Sequence, residues 1–244
     1  MNMIANAFGF LLKTIYNAVS AMGAEPANIS YFAISVLVIT VLYKVITLPM
    51  TISTVKMQKI NAKMAPEVAE IRKKFKNDPQ GMQKKIAELN AKYNYNPLKS
   101  CLPMIFQIVI MFAFLRIMKE PTLYIFGESV HEGFRDNFFW VNSLAQPDKT
   151  LWGLALLNGV TQFFLFELMQ PQTKAGKEAD PSAGMMGGMK YIMPVVIYYS
   201  TLMFSAGLAL YWGFGNILDI IIRLILNNIM YKEELEEEYG NENN

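Results

Sequence analysis

The sequence predicts an all-α, polytopic membrane protein: a bundle of five transmembrane helices with a cytoplasmic helical hairpin. Three observations predict it. Hydrophobic residues make up 53% of the 244-residue chain, whereas charged residues make up only 17%. The apolar residues are gathered into blocks about as long as the roughly 20 helical residues that cross a bilayer. The charges are concentrated between these blocks, most densely in one basic insert.

The first segment, 1–28, is predicted to form an amphipathic helix that lies in the membrane interface. Its apolar side chains recur at helical spacing, and they are Ile4, Phe8, Leu11, Ile15, Val19 and Met22. A cleaved signal peptide is the alternative. It fits less well, because no basic residue precedes the apolar part and both Lys13 and Asn17 interrupt it.

The core, 29–230, is predicted to contain the five spans. The first three are Ile29–Met50, Leu98–Met118 and Thr150–Met169. The last apolar run, Tyr191–Met230, has 40 residues, which is about twice the length that one span needs. We therefore expect a hairpin of two spans that turns at 205–207, with the fourth span beginning a few residues before Tyr191.

The insert at 56–95 is too highly charged to enter lipid, since residues 56–92 carry ten Lys or Arg and four Asp or Glu. Apolar residues at helical spacing in Met64–Phe75 and Met82–Leu89 predict two helices. A turn signal, Asn77-Asp78-Pro79, separates them. The insert is therefore predicted to be a helical hairpin outside the bilayer.

The charge balance of the loops predicts the orientation. The loop at 120–149 carries five acidic and two basic residues, the opposite of the basic hairpin. The positive-inside rule then places the hairpin in the cytoplasm and the N-terminus and this loop outside. Five spans put the loop at 170–188 and an acidic tail at 231–244 in the cytoplasm as well.

Polar side chains within the predicted spans recur at helical spacing, so each of several helices has one polar face. On the first span this face is formed by Thr40, Lys44, Thr47 and Thr51, and on the last by Trp212, Asn216, Asp219 and Arg223. Ionisable groups inside a membrane usually face a protein interior or a water-filled cavity. The predicted groove residues are Thr40, Lys44, Thr47, Gln107, Gln162, Trp212, Asn216 and Asp219.

Two alternatives to a groove stay open. Interhelical hydrogen bonds that hold the bundle together are the favoured explanation for Gln107, Asn158 or a single threonine. Lys44 could also extend along its helix to the cytoplasmic interface. Counted from the outer ends of their spans, however, Lys44 and Asp219 have the same depth, which predicts an ion pair between them. Arg223, one helical turn from Asp219, is a competing partner for Asp219.

No catalytic motif or phosphate-binding loop is present, and no cofactor or metal site is predicted. A single Cys101 and a single His131 exclude an intramolecular disulfide and disfavour a histidine metal site. An intramembrane enzyme based on Asp219 lacks a second catalytic group. A small secondary transporter or ion pathway is the main alternative function, but the internal repeat typical of transporters is missing.

Short motifs along the chain resemble the YidC/Oxa/Alb family of membrane protein insertases. They are Asn96-Pro97-Leu98-Lys99-Ser100-Cys101-Leu102-Pro103-Met104, Gly207-Leu208-Ala209-Leu210-Tyr211-Trp212, Leu48-Pro49, Phe139-Trp140, Pro147-Asp148 and Met193-Pro194. They cover nearly the whole chain in the expected order. The small size of the external part is similar to that of the Gram-positive members.

The resemblance implies a chaperone for nascent membrane proteins in the bacterial cell membrane, with no enzymatic activity. It implies a hydrophilic groove that opens to the cytoplasm and to lipid. The family's groove arginine corresponds to Lys44. Lysine keeps the positive charge but lacks the planar guanidinium, which binds a carboxylate through two parallel N–H donors. The implied partners are nascent membrane proteins and the lipid bilayer, with the Sec translocon and the ribosome as further candidates. The basic hairpin could contact ribosomal RNA or anionic lipid headgroups, and DNA is not an expected partner.

Overall fold

A computed structural model describes the backbone of residues 2–128, 131–169 and 181–242. Within these ranges the protein is all-helical, as predicted, with two isolated β-bridges and no strand. Residues 170–180 of the predicted 170–188 loop lie outside the described residues, whereas 181–188 are not loop but the first part of the helix Pro181–Thr201, which begins earlier than the predicted fourth span. The described helices are α1 (Asn2–Ser20), α2 (Tyr31–Lys74), α3 (Pro79–Lys92), α4 (Pro97–Lys119), α5 (Pro121–Phe126), α6 (Leu154–Met169), α7 (Pro181–Thr201) and α8 (Ala206–Glu242).

The first helix is amphipathic, and it packs part of its apolar face onto the rest of the protein, whereas its predicted place in the membrane interface stays a prediction. Leu12 and Ile15 are buried in the main core, and α1 contacts α2, α4 and α5. Met22 is an exception, because the helix ends at Ser20 and the Met22 side chain is 86% exposed. The predicted apolar stripe therefore ends one turn earlier than the sequence spacing indicates.

The second helix differs most from the sequence prediction. It begins at Tyr31, where the Ser30 hydroxyl caps the Ala33 N–H, and continues without interruption to Lys74. The predicted first span and the first arm of the hairpin are thus one helix of 44 residues. Pro49 and Pro66 both lie inside it, although each removes one backbone hydrogen bond.

The hairpin turn lies where the sequence predicts it, between α2 and α3. Asp78 caps the first turn of α3 by accepting a hydrogen bond from the Gly81 N–H at 2.9 Å. Glu67 on α2 binds both residues at the far end of α3, accepting a hydrogen bond from Lys92 Nζ at 3.1 Å and another from the Tyr93 hydroxyl. These contacts join the two arms side by side.

The predicted third span is shorter than expected. Its helix, α6, begins at Leu154 instead of Thr150, because Asp148 organises the preceding turn. The Asp148 carboxylate accepts hydrogen bonds from the backbone N–H groups of Thr150 and Leu154 and from Trp140 Nε1, at 3.0 to 3.1 Å. The side chain is buried, so these bonds replace the water that it has lost.

The last two helices are joined by a tight turn at 202–205, close to the predicted position. The N-terminus of α8 is fixed to the 120–149 loop, since the N–H groups of Ala206 and Gly207 donate to the carbonyls of Gln146 and Leu144 at 2.8 Å. A side chain at position 207 would overlap Met118. Glycine avoids this overlap and so favours the close approach between the start of α8 and the 120–149 loop.

The helices that could cross a membrane are identified by length and composition. Within the described residues, α2 and the Ala206–Tyr231 part of α8 are long and apolar enough to do so, and α6 is a shorter apolar helix. Helix α8 packs against α2, α4 and α6, and α6 also packs against α7. These contacts bring the polar faces of α2 and α8 together.

Candidate functional site

A polar cavity of about 80 Å³ lies between α2, α4 and α8. It has room for several water molecules. Its walls combine charged, amide, hydroxyl and apolar groups, and they are formed by Tyr43, Lys44, Thr47, Met50, Thr51, Thr54, Phe106, Gln107, Asp219 and Arg223. We call this space the polar cavity.

An ion pair between Lys44 and Asp219 lies in the wall of the polar cavity. The Lys44 Nζ atom is 2.7 Å from Asp219 Oδ2, and the two side chains are 11% and 20% exposed. Each is the fourteenth residue of its helix, about 20 Å from the helix start. The predicted common depth and ion pair are therefore confirmed.

A layer of hydrogen-bonded side chains lies beside the ion pair, and it is formed by Tyr43, Gln107 and Tyr211. Gln107 on α4 donates to the Tyr211 hydroxyl at 3.3 Å and accepts a long, 3.5 Å bond from Tyr43. Tyr211 is buried, and its ring stacks on Phe114 with centroids 4.3 Å apart. Tyr211 is nearer than Asp219 to the start of α8, so this layer lies between the ion pair and the end of the bundle where α8 begins.

Three threonines line the polar cavity on the α2 side. The hydroxyls of Thr47, Thr51 and Thr54 each donate to a carbonyl one turn earlier in α2, at 2.9 to 3.3 Å. Each hydroxyl oxygen therefore keeps acceptor capacity that faces the cavity. The sequence pattern identified Thr47 and Thr51 as part of the polar face, and Thr54 extends it by one turn.

Arg223 is a cavity residue that the sequence analysis did not assign to the groove. It is on the same helical face as Asp219, one turn further along α8, and that spacing was the available signal. Asp219 pairs with Lys44 instead, and Arg223 Nη1 donates to Gln58 Oε1 at 2.9 Å. Of the two expected partners of Asp219, Lys44 forms the ion pair and Arg223 does not.

The remaining predicted groove residues lie away from the polar cavity. Thr40 is fully buried, and its hydroxyl donates to the Val36 carbonyl. Asn216 donates to Thr161 Oγ1 at 3.3 Å and to Gln162 Oε1 at 3.1 Å, which connects α8 to α6. Trp212 is half-buried one turn before Asn216 on the same helix and is not part of the cavity wall.

Asn158 also connects α6 to α8, as the interhelical alternative predicts. Its amide nitrogen donates to the Leu154 carbonyl at 2.8 Å and to the Ala209 carbonyl at 2.9 Å. The whole residue is buried. The α6–α8 contact is therefore held by hydrogen bonds at two levels, Asn158 and Asn216.

Large apolar side chains cover the outside of the bundle. Val45 and Ile46 on α2 and Tyr191 and Ile192 on α7 are each more than 60% exposed. Apolar surface of this extent is unusual for a soluble monomer and typical of contact with lipid. The protein therefore combines an apolar exterior with an apolar core that encloses one polar cavity. Among the described residues, no group of three or more His, Cys, Asp or Glu side chains could hold a metal ion.

Comparison with known proteins agrees with this architecture. The family model for the 60Kd inner membrane protein matches residues 25–234. The chain is 28% identical to membrane protein insertase YidC of Clostridium perfringens over 89% of this chain and 87% of that protein. It is 30% identical to membrane protein insertase YidC of Clostridium tetani over 90% of this chain and 91% of that protein. A third relative, membrane protein insertase YidC of Pelobacter propionicus, is 31% identical over 93% of this chain and 39% of its own length.

The family match covers the cavity-lining parts of α2, α4 and α8 as well as the basic hairpin. It also covers α6, α7 and the 120–149 loop, so every described helix except α1 lies wholly or mostly within it. The chain therefore belongs to the 60Kd inner membrane protein family, the family of the YidC-type insertases.

Proposed function

We propose that this protein is a membrane protein insertase. It guides hydrophilic segments of nascent membrane proteins through the polar cavity and releases their apolar spans into lipid. The observation that carries the proposal is the buried Lys44–Asp219 pair in a polar cavity, inside a bundle whose exterior is apolar. The insertase names of its relatives support the same function.

The physical problem that an insertase solves is the cost of moving polar groups through hydrocarbon. Each polar group without a partner costs several kcal/mol in the bilayer core. A cavity with water, hydroxyls and charges lowers that cost for part of the distance across the membrane. No covalent bond has to be made or broken, so the proposed activity is not enzymatic.

The proposed topology has five spans, formed by the first part of α2 and by α4, α6, α7 and α8. The N-terminus and the outer loop lie outside, and the hairpin and the C-terminus lie in the cytoplasm. Exposed aromatic rings of Phe139 and Trp140 in the 120–149 loop, and of Trp152 just after it, support a position of this region at a membrane interface, because such rings are enriched at both interfaces. In this scheme 1–28 is interfacial, 29–230 is the insertase core and 231–244 is the tail.

The contact between α6 and α8 is the proposed exit for the apolar span of the substrate. Gln162 accepts a hydrogen bond from Asn216 at this contact, and Trp212 lies one turn before Asn216 on α8. Both Gln162 and Trp212 are half-buried, and both are proposed to reach a passing segment. The basic hairpin is proposed to meet the ribosome or anionic headgroups, and the Sec translocon is a candidate partner. Nascent membrane proteins and lipid are the partners that the proposal requires.

The decisive experiment is complementation. A bacterial host depleted of its own insertase should regain insertion of a short single-span reporter when this protein is expressed, as measured by protease protection of the reporter. A Lys149→Gln variant, changed at an exposed position on the outer loop, should complement equally well. Failure of the wild-type protein to restore insertion, despite normal membrane levels, would exclude the insertase function.

A second measurement tests the path. Photo-crosslinkers at Gln162 and Trp212 should capture the arrested reporter. A crosslinker at Leu151, which is exposed on the outer loop, should not. Equal capture at all three positions would mean that the substrate does not follow the α6–α8 contact.

A further inference from the structure

A second and larger space lies at the C-terminal end of α4, apart from the polar cavity. It has a volume of about 840 Å³, and it is bounded by the last turns of α4, by α5, by the 120–149 loop and by the turn at 202–205. This volume falls within the range of roughly 300–1,000 Å³ that is usual for ligand pockets. Among the described residues, none lines both spaces. We call this second space the basic cleft.

Two basic side chains in the wall of the basic cleft have no acidic partner. Arg116 and Lys119 belong to the last turn of α4, and both are exposed. Among the described residues, neither side chain takes part in an ion pair. Cations at a helix C-terminus interact favourably with the helix dipole, which explains the two charges but not the apolar groups beside them. Glu120 also lines the basic cleft, so its wall has a net positive charge.

Much of the remaining wall is apolar and exposed. Phe112 on α4, Leu123 on α5 and Met203 in the turn after α7 all line the basic cleft and are exposed. About 10 Å of helix separates Phe112 from Lys119. The basic cleft therefore has cations at the end of α4 and an apolar wall that extends about 10 Å from them along the helix.

We propose that the basic cleft binds an anionic phospholipid, with its phosphate at Arg116 and Lys119 and an acyl chain along the apolar wall. A guanidinium donates to phosphate through two parallel N–H groups, and an ammonium adds a point charge. Basic pockets between membrane helices bind anionic headgroups by this chemistry. An apolar helix of another protein would cover the wall but leave both cations without a counter-charge, whereas an anionic lipid supplies both parts.

The lipid site goes beyond the proposed insertase function and does not depend on it. Membership of an inner membrane protein family is sufficient to bring the chain into contact with phospholipid. In the proposed topology the end of α4 lies at the outer side of the bundle, so the headgroup belongs to the outer leaflet. Lipid binding is measured without a nascent substrate, and its outcome is therefore independent of insertion.

Native mass spectrometry of the full chain released from detergent micelles tests the proposal. The anionic probe is dioleoylphosphatidylglycerol and the reference is dioleoylphosphatidylcholine, and the ratio of their dissociation constants measures the headgroup preference. The Arg116→Gln, Lys119→Gln double variant should lose about tenfold of the preference for the anionic lipid. The matched control, Lys13→Gln with Lys149→Gln, removes two exposed charges outside the basic cleft and should stay within about twofold of the wild-type ratio.

Arg116→Lys keeps the charge and should keep most of the preference. Equal affinity of the wild-type protein for the two lipids would overturn the proposal. Equal losses in the two double variants would overturn it too, because they would show that the overall charge and not the basic cleft selects the lipid.

Two further arms separate the lipid from other occupants. Glycerol 1-phosphate carries the phosphate without acyl chains and should not displace the phosphatidylglycerol, since it makes no contact with the apolar wall. Displacement at a similar concentration would assign the cations to a free phosphate. A photo-crosslinker at Leu123 should give a lipid adduct in cells. A protein adduct in its place would assign the basic cleft to a partner helix, and either of these two results would exclude the lipid site.

Discussion

Lys44 on α2 and Asp219 on α8 form an ion pair across 175 residues of sequence, with Nζ 2.7 Å from Oδ2. Both side chains are mostly buried. Removal of one partner therefore leaves a poorly solvated charge, which costs more than the net stabilisation by the intact pair. The pair thus couples the packing of two helices to the charge of the polar cavity.

A double-mutant cycle on thermal stability should reveal this coupling. Lys44→Met and Asp219→Leu should each lower the free energy of unfolding by about 1–3 kcal/mol, because each isolates the other charge. The double variant should be more stable than either single variant. The midpoint of thermal aggregation of the protein in detergent is the measurement, and additive losses would show that the two residues do not interact.

The identity of the cation at position 44 should matter less than its charge. Lys44→Arg should support insertion of an acidic reporter, because a guanidinium also pairs with Asp219. Asp219→Asn should leave that insertion unchanged or raise it, because it frees Lys44 for the substrate. Quantitative protease protection of the reporter measures both. A strong loss of insertion in Asp219→Asn would mean that the ion pair itself is needed for activity.

The orientation can be checked with a membrane-impermeant thiol reagent on intact cells, in a Cys101→Ser background. Cysteine at Gln83, exposed on α3, should be shielded, because the basic hairpin is expected in the cytoplasm. Cysteine at Glu132, exposed on the outer loop, should react. Asn137 in the same loop is a less suitable position for the cysteine, because its side chain donates a hydrogen bond to the Ala27 carbonyl. The reverse labelling pattern would invert the topology and place the polar cavity toward the outside.

The sequence predicted those features that follow from helix geometry alone. Apolar length located the helices, and counting at 1.5 Å per residue gave Lys44 and Asp219 one depth. Because α2 and α8 both start near the outer loop and pack against each other, this count was sufficient to predict the ion pair. Spacing also placed Arg223 on the polar face, although its partner could not be read from spacing.

Features that depend on helix rotation or on competing hydrogen bonds were not predictable. Thr40 shares a helical face with Lys44, but close packing of α2 on α8 buries it away from the cavity. Pro49 and Pro66 signal breaks, yet tertiary packing keeps α2 continuous. Helix α6 begins at Leu154 and not at Thr150, because the buried Asp148 carboxylate in the preceding turn accepts hydrogen bonds from the backbone N–H groups of Thr150 and Leu154.

The basic hairpin should be needed for insertion and dispensable for the fold of the spans. Removal of 64–89 should lower reporter insertion while the shortened protein remains in the membrane fraction. A milder variant, Glu67→Gln combined with Tyr93→Phe, removes the contact between the hairpin arms and should speed proteolysis of α3 in inverted vesicles. Loss of the shortened protein from the membrane would show that the hairpin stabilises the bundle.

The turn before α6 should depend on the charge of Asp148. Burial by itself would raise the pKa of this carboxyl. The hydrogen bonds that it accepts from the side chain and backbone of Thr150, from the Leu154 N–H and from the Trp140 side chain outweigh burial and lower the pKa below its usual value. A lowered pKa means that the ionised form stabilises the fold above about pH 4, the unfolded pKa, and that this contribution is lost as the pH falls through the folded value.

Asp148→Ala should therefore lower the free energy of unfolding at pH 7 by about 1–2 kcal/mol, the usual range for loss of a capping side chain. Below about pH 4 the difference between wild type and variant should shrink, because the wild-type carboxyl becomes protonated. Thermal midpoints at pH 7, 5 and 3.5 measure the trend. Glu132→Gln, at an exposed position of the same loop, is the matched control and should have no effect at any of these values. A difference between wild type and Asp148→Ala that stays constant from pH 7 to 3.5 would show that Asp148 contributes through its packing and not through its charge.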